Sequence, residues 1–450
     1  MDNIVQLDTF RDLSERVGRF DVRGKRFLIP EMTPLGSHLM AGAFRAFGIN
    51  AEIMETYTGL DLGKKYTSGK ECFPCVVTLG DILYFMEQEK KTQGDAFDPE
   101  NYVYFMPETS GPCRFGMYNK YHRIILDSLP GLHKLKITAL SSDDAYNLQG
   151  VIAPERMRRF RKTAFFTVVV GDVLERLAWR IRPYEKTAGR TDAFFIQARD
   201  RLAASLERHA LRDGFHPILR ELDEIVRAAI SIIDPSIPRK PLIGVVGEIY
   251  VRTHTKSNQD TIKILEQYGA EVVNASISEW INFTTYEQVR KAKKALRLHG
   301  RNGRVKKCGR EFLRYLRYRC ILSYQYMVQW KVYRLVRRHI DIMEDHTIGH
   351  LEQALKKNDV FSFVVGTEAC LSIASSLIFA HHGYNGIVNV FPFTCMPSNL
   401  TASITKPLMA AASVPYIDVS YDGSYQPGRE AALRTFMYQA QRHCNTHGKP

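Results

Sequence analysis

No apolar run in this 450-residue chain approaches the roughly 20 residues that cross a bilayer. The longest candidate, Ala164-Phe165-Phe166-Thr167-Val168-Val169-Val170, has arginines on either side and suits a buried helix. Met1-Asp2-Asn3-Ile4 does not lead from a charged segment into an apolar one, so no secretion signal is expected and the cytoplasm is the expected compartment. Low-complexity tracts and solenoid repeats are missing, which sets aside linker-rich and repeat architectures. So is a phosphate-binding loop. Gly69-Lys70 is followed by Glu71 where Ser or Thr would be needed, and Gly63 lies one residue too far upstream. No histidine or carboxylate stands out as a general acid or base, and His381-His382, at a helix end, reads as structural or solvent-facing.

What is present is the composition of a soluble globular protein, long enough for two or three domains. Eight cysteines without a secretion signal point to free, catalytic or metal-bound thiols rather than disulfides. Charge is unevenly spread. Between Arg290 and Arg338 stand 17 Lys and Arg and one acid, Glu311, so the net charge of +14 belongs to that segment and the rest of the chain is close to neutral. The segment's usual meaning is a solvated helical face. Docking of an acidic partner or of coenzyme A phosphates comes next, and nucleic acid last, although Tyr315, Tyr318 and Tyr324 interleave with the arginines.

Periodicity predicts a helical lead-in over residues 1–25 and strands at Arg26–Pro30, Ala51–Met54, Tyr102–Met106 and Lys136–Thr138, with helices between them. Helices alone are expected over 151–238. Strands return at Leu242–Gly247, Ala270–Val273, Val360–Val365, Gly386–Phe391 and Pro415–Val419 within 239–450, interrupted by a basic helical insertion over about 286–357. Strands alternating with helices at this spacing predict an α/β fold: two parallel-sheet, Rossmann-like domains (26–150 and 239–450) with helical insertions.

The cysteines fall in telling places. Cys72 and Cys75, in Thr67-Ser68-Gly69-Lys70-Glu71-Cys72-Phe73-Pro74-Cys75, precede a predicted helix whose N-terminus stabilises negative charge. Cys113 and Cys395 each follow a strand and precede a helix, at the sheet edge where open parallel sheets bind ligands. Cys370 lies one turn into its helix, and Cys308, Cys320 and Cys444 read as free thiols. Four readings of the central group stand open: a dithiol redox pair, structural zinc, an iron–sulfur cluster held from distant loops, and plain buried cysteines.

Three longer stretches carry a resemblance: Lys65 to Cys75, Met106-Pro107-Glu108-Thr109-Ser110-Gly111-Pro112-Cys113-Arg114-Phe115-Gly116-Met117-Tyr118, and Asn389 to Pro397. Together with Gly247-Glu248-Ile249-Tyr250-Val251 and Tyr421-Asp422-Gly423 they resemble the 2-hydroxyacyl-CoA dehydratase superfamily, closest to its acyl-CoA dehydratase activase-related proteins, with the double-cubane cluster proteins as relatives. The resemblance runs over about 25–443. It implies two flavodoxin-like domains with an iron–sulfur cluster between them, 4Fe–4S or double-cubane. Cys72, Cys75 and Cys113 match the ligand motif, and Cys395 matches a cysteine of the activase-related branch. Cys370 departs from the pattern, and it or Cys320 is left open as a further ligand. The resemblance also implies a separate ATP-dependent activator with its own iron–sulfur cluster, which delivers a low-potential electron for reduction of a small molecule or dehydration of an acyl-CoA, and it leaves room for a homo- or heterodimer. A catalytic dehydratase subunit and a scaffold that has lost its cluster are the alternatives. The basic segment is no part of the family pattern.

Overall fold

The computed structural model describes residues 17–18, 22–109, 113–138, 151–302 and 305–447. In the first domain β1 (Val17–Gly18), β2 (Arg26–Ile29), β3 (Asn50–Ile53), β4 (Tyr102–Phe105) and β5 (Lys136–Thr138) form one sheet in the order β1-β5-β4-β2-β3, every pair parallel. In the second, β6 (Leu242–Gly247), β7 (Glu271–Asn274), β8 (Gly386–Pro392) and β9 (Tyr416–Tyr421) lie in the order β7-β6-β8-β9, again all parallel. The central strands are apolar runs buried on both faces, as parallel sheets covered by helices require. Both sheets have flavodoxin-like strand order. The winding reverses between β2 and β4 and again between β6 and β8, and such crevices beyond the carboxyl ends of strands are where these folds bind ligands.

The helices of the first domain are α1 (Gly36–Ala46), α2 (Leu60–Lys65), α3 (Phe73–Gln93) and α4 (Tyr118–Ser128). Then come α5 (Pro154–Ile181), α6 (Arg190–His209) and α7 (His216–Ile230), the expected helical region. The second domain carries α8 (Thr261–Gln267), α9 (Ile277–Arg301), α10 (Val305–Val336), α11 (Ile348–Asn358), α12 (Glu368–His381), α13 (Met396–Ala411) and α14 (Gly428–His447). Helix α5 is the central pillar, packing against α1 of the first domain, β7 of the second, and both α9 and α10. It holds the apolar run Ala164–Val170, whose Phe165, Phe166, Val169 and Val170 are buried. Among the described residues no helix is long and apolar enough to cross a membrane.

Two expectations differ from the structure. Val17–Gly18 pairs with Ile137–Thr138 as an edge strand, not a helix, and 1–16 and 19–21 lie outside the described residues. Val360–Val365 is no strand. β6 is already flanked by β7 and β8, and the stretch ends as a 3₁₀ turn, Phe363–Val365, started by the Ser362 hydroxyl accepting from Val364 N–H. An interior strand buries both faces, yet Val364 is exposed here.

Candidate functional site

Each sequence-predicted cysteine caps or opens a helix at the carboxyl edge of a sheet. Cys72 is the residue before α3, with Pro74 in the first turn and Cys75 one position later. Cys113 precedes the 3₁₀ turn Arg114–Met117, and Cys395 precedes α13. The loop before Cys72 is tied locally, Ser68 N–H donating to Glu71 Oε2 at 2.9 Å and the Tyr121 hydroxyl to the Tyr66 carbonyl at 2.8 Å. Thr394, just before Cys395, has φ +66°, a left-handed conformation that costs a β-branched residue of order 1–2 kcal/mol. Ser110–Pro112 lie outside the described residues.

One guanidinium joins the three loops. Arg114, next to Cys113, donates to the Lys70 carbonyl at 2.7 Å and to the carbonyl and hydroxyl of Thr394 at 3.2 Å. The loop of Cys113 is thereby fastened to those of Cys72 and Cys395, which belong to different domains.

Two buried carboxyls that sequence reasoning missed act on three of the thiols. Burial raises all of them, Cys72 to about 11 and Cys113 to about 12, Cys395 upward as well; in each case the carboxyls of Glu248 and Glu368 push in the same direction. Glu248 follows Gly247 at the end of β6. Its two carboxylate oxygens accept the Tyr250 and Val251 N–H groups at 3.0 and 2.8 Å, while Glu368, the first residue of α12, accepts from Ile249 N–H at 3.2 Å. Gly247 is required there: its φ is +119° and a Cβ would lie 2.1 Å from the Val390 carbonyl oxygen. Burial also raises the Glu368 carboxyl, to about 8. The signal for Glu248 was available, since a polar residue directly after a strand-ending glycine has the same placement as Cys113 and Cys395.

Cys75 is placed differently. Its sulfur is 3.5 Å from His122 Nε2, inside the core of the first domain, and the fully buried His122 ring is pushed down to about 4 and so is neutral at pH 7. Cys370 is buried and its thiol donates to the Ser362 carbonyl at 3.7 Å; it feels Glu287 and Arg290 rather than the Glu248–Glu368 pair. Cys320 is exposed, Cys308 half-buried and Cys444 on the buried face of the last helix.

Beside the thiols lies a cavity of about 280 Å³. It opens at the winding reversal of the first sheet, between Ile29–Pro30 after β2 and Phe105–Met106 after β4, and reaches across to Glu248 and Ile249. Cys113 is the thiol in its wall. Helices α5 and α9 close the other side with Val168, Ile277 and Ile281. The wall is mostly apolar. It carries the carboxyls of Glu108, Asp172, Glu175, Glu248 and Glu368 and, among the described residues, no Lys, Arg or His. A small, largely apolar molecule suits such a chamber, and a free anion does not.

The donor chemistry fits an iron–sulfur cluster in type alone: cysteines on loops that Arg114 ties together, with Glu248 and Glu368 acting on Cys72, Cys113 and Cys395. Cys75 faces His122, and among the described residues no three His, Cys, Asp or Glu side chains are gathered closely enough to hold a metal ion.

One wall residue yields a pH prediction. Glu175 accepts the Leu35 N–H at 3.0 Å, and burial raises its carboxyl to about 7. A raised folded value means that the stability from the protonated form is complete below the unfolded value of about 4.3 and is lost as pH rises through about 7. Glu175→Gln keeps an acceptor for Leu35 but does not titrate. Urea midpoints measured from pH 4 to 8 are expected to fall less steeply with pH in the variant, by roughly 3 kcal/mol over the range. Parallel curves would refute this.

No family model matches the chain, and no curated protein matches it with significance.

Proposed function

We propose that this chain is a cytoplasmic iron–sulfur protein that accepts a single low-potential electron from a separate ATP-dependent activator with its own iron–sulfur cluster, and passes it to a small molecule held beside Cys113. The observation that carries the reading is the Arg114 tie, which brings cysteine loops of both domains to one crevice. When bound, a 4Fe–4S or double-cubane cluster would supply one-electron redox chemistry there. Cys72, Cys75, Cys113 and Cys395 would hold it, by their match to the motifs of the 2-hydroxyacyl-CoA dehydratase superfamily.

The residues around the thiols contribute electrostatics. Burial makes added negative charge beside Cys72, Cys113 and Cys395 unfavourable, and the Glu248 and Glu368 carboxyls add to this where they ionise, which favours a low reduction potential. The apolar wall excludes water from that charge, and the helix N-termini behind Cys72 and Cys395 partly offset it. The largely apolar chamber also supports a second reading, a catalytic dehydratase subunit whose acyl-CoA substrate places its acyl end there and its phosphates outside.

Iron and acid-labile sulfide analysis of anaerobically purified protein tests the common core of both. Stoichiometric iron and sulfide with broad visible absorbance are expected, and Cys72→Ala is expected to lose most of each. Protein free of iron and sulfide when isolated without oxygen would leave only a scaffold that has kept the fold. Turnover of a 2-hydroxyacyl-CoA panel with activator and ATP separates the two enzymatic readings.

A further inference from the structure

The basic insertion is a hairpin of α9 and α10, with its own side-chain pattern. One face of α10 is buried: Leu322, Gln325, Gln329, Val332 and Val336 face inward, and Val328, Val332 and Val336 join the core built on α5 and α7. The opposite face is apolar too, and it is bare. Leu313, Leu316, Met327 and Trp330 are 68%, 42%, 41% and 50% exposed. With Cys320 and Ser323, also exposed, they recur at alternating steps of three and four over 313–330, the a/d seam of a coiled coil. Scattered exposed apolar residues need no explanation, but a continuous seam of this period does.

The flanks of the seam determine what covers it. Of the positions that would flank a partner helix, Arg310, Arg317, Arg319 and Lys331 are exposed cations, Phe312 is exposed, and Tyr324 and Tyr326 are half-buried. No acid stands among them. The ion pairs made by the hairpin use Arg290, Arg314 and Arg337 instead. Charges at these flanking positions set partner choice in coiled coils. A second copy of α10 would bring cations against cations. An anionic membrane would suit the charge but calls for a broader apolar face than a strict a/d stripe.

We propose that the exposed face of α10 docks an acidic amphipathic helix of another protein, which lays apolar a/d residues along Leu313–Trp330 and carboxylates against Arg310, Arg317, Arg319 and Lys331. The surface lies on α10, which contributes no residue to the chamber wall beside Cys113, so the inference stands whether or not those cysteines hold iron.

The test uses the full chain and two synthetic four-heptad peptides with Leu at a and d, one with Glu and the other with Lys at e and g. Binding is read from Trp330 emission, which shifts to the blue on burial, and from protection of Cys320 against a maleimide. The Glu peptide is expected to bind and the Lys peptide not. Affinity should fall as salt rises, and by about tenfold in Arg317→Glu/Arg319→Glu. Leu313→Ser/Leu316→Ser should abolish binding while helicity and iron content stay as in the parent, since both side chains are exposed. Equal binding of the two peptides, or none at 100 μM, would overturn the proposal. So would concentration-dependent self-association lost in the Leu double variant, or partition onto phosphatidylserine vesicles by a chain that ignores the Glu peptide.

Discussion

Arg176→Met is expected to destabilise the protein by about 3–5 kcal/mol, the usual result of removing one partner from a buried charge pair. Arg176 lies in the middle of α5, and three other segments meet on it. Its guanidinium pairs with Asp345 at 2.5 Å and donates to the Tyr333 hydroxyl at 2.8 Å, the Met343 carbonyl at 2.7 Å and the Asn274 carbonyl at 3.4 Å. Those contacts reach α10, the loop before α11, and the end of β7. Methionine would fill much of the space but supply no donor, leaving Asp345 with only Ser276, Ser278 and Gln329. The double variant Arg176→Met/Asp345→Leu should recover much of the loss, because an apolar pair removes the unmatched charge along with its partner. Urea denaturation of the single and double variants measures both. A single variant within 1 kcal/mol of the parent would show that the hub is not a stabilising contact.

The second large effect is expected at the crossing of α2 and α3, where the thiol loop begins. Gly59 and Gly63 press on Gly80 and Val76 backbone to backbone, and a Cβ on Gly80 would lie 2.2 Å from the Gly59 carbonyl oxygen. In an isolated helix Gly80→Ala would gain about 1 kcal/mol from propensity alone. Here the clash is with backbone, which cannot rotate away, and overpacking of that kind costs about 3 kcal/mol. The clash wins. Net destabilisation of about 2 kcal/mol is expected, with α2 and the following loop to Cys72 pushed off α3. The measurements are urea denaturation and the maleimide reactivity of Cys72, which is buried in the parent. A stabilised variant with an unreactive Cys72 would mean that the two helices separate freely.

Much of this was legible residue by residue. The strands at Arg26–Ile29, Tyr102–Phe105 and Gly386–Pro392 are short apolar runs bounded by turn residues, and such runs predict parallel strands because both of their faces are covered. The position of Cys113 and Cys395 at strand-to-helix junctions, and of Cys72 at the start of a helix, followed from the same pattern. Val360–Val365 misled because apolar content alone does not reveal whether a place in the sheet is free. The seam on α10 escaped notice because a second apolar stripe, buried on the opposite face, masks the period when the helix is read as one string.

The sequence alone determined that this is a chain of two parallel α/β units with thiols near helix N-termini, since the alternation of short apolar runs and amphipathic helices leaves few other ways to bury both. Only the tertiary structure decided the surroundings of each thiol. Cys75 lies against His122, whereas Cys72, Cys113 and Cys395 feel the carboxyls of Glu248 and Glu368, and Arg114 ties loops of two domains whose contact no local pattern encodes. The buried acids of the chamber were hidden for the same reason: a glutamate in a sequence is charged and solvated by default, and only packing from several distant segments takes its water away.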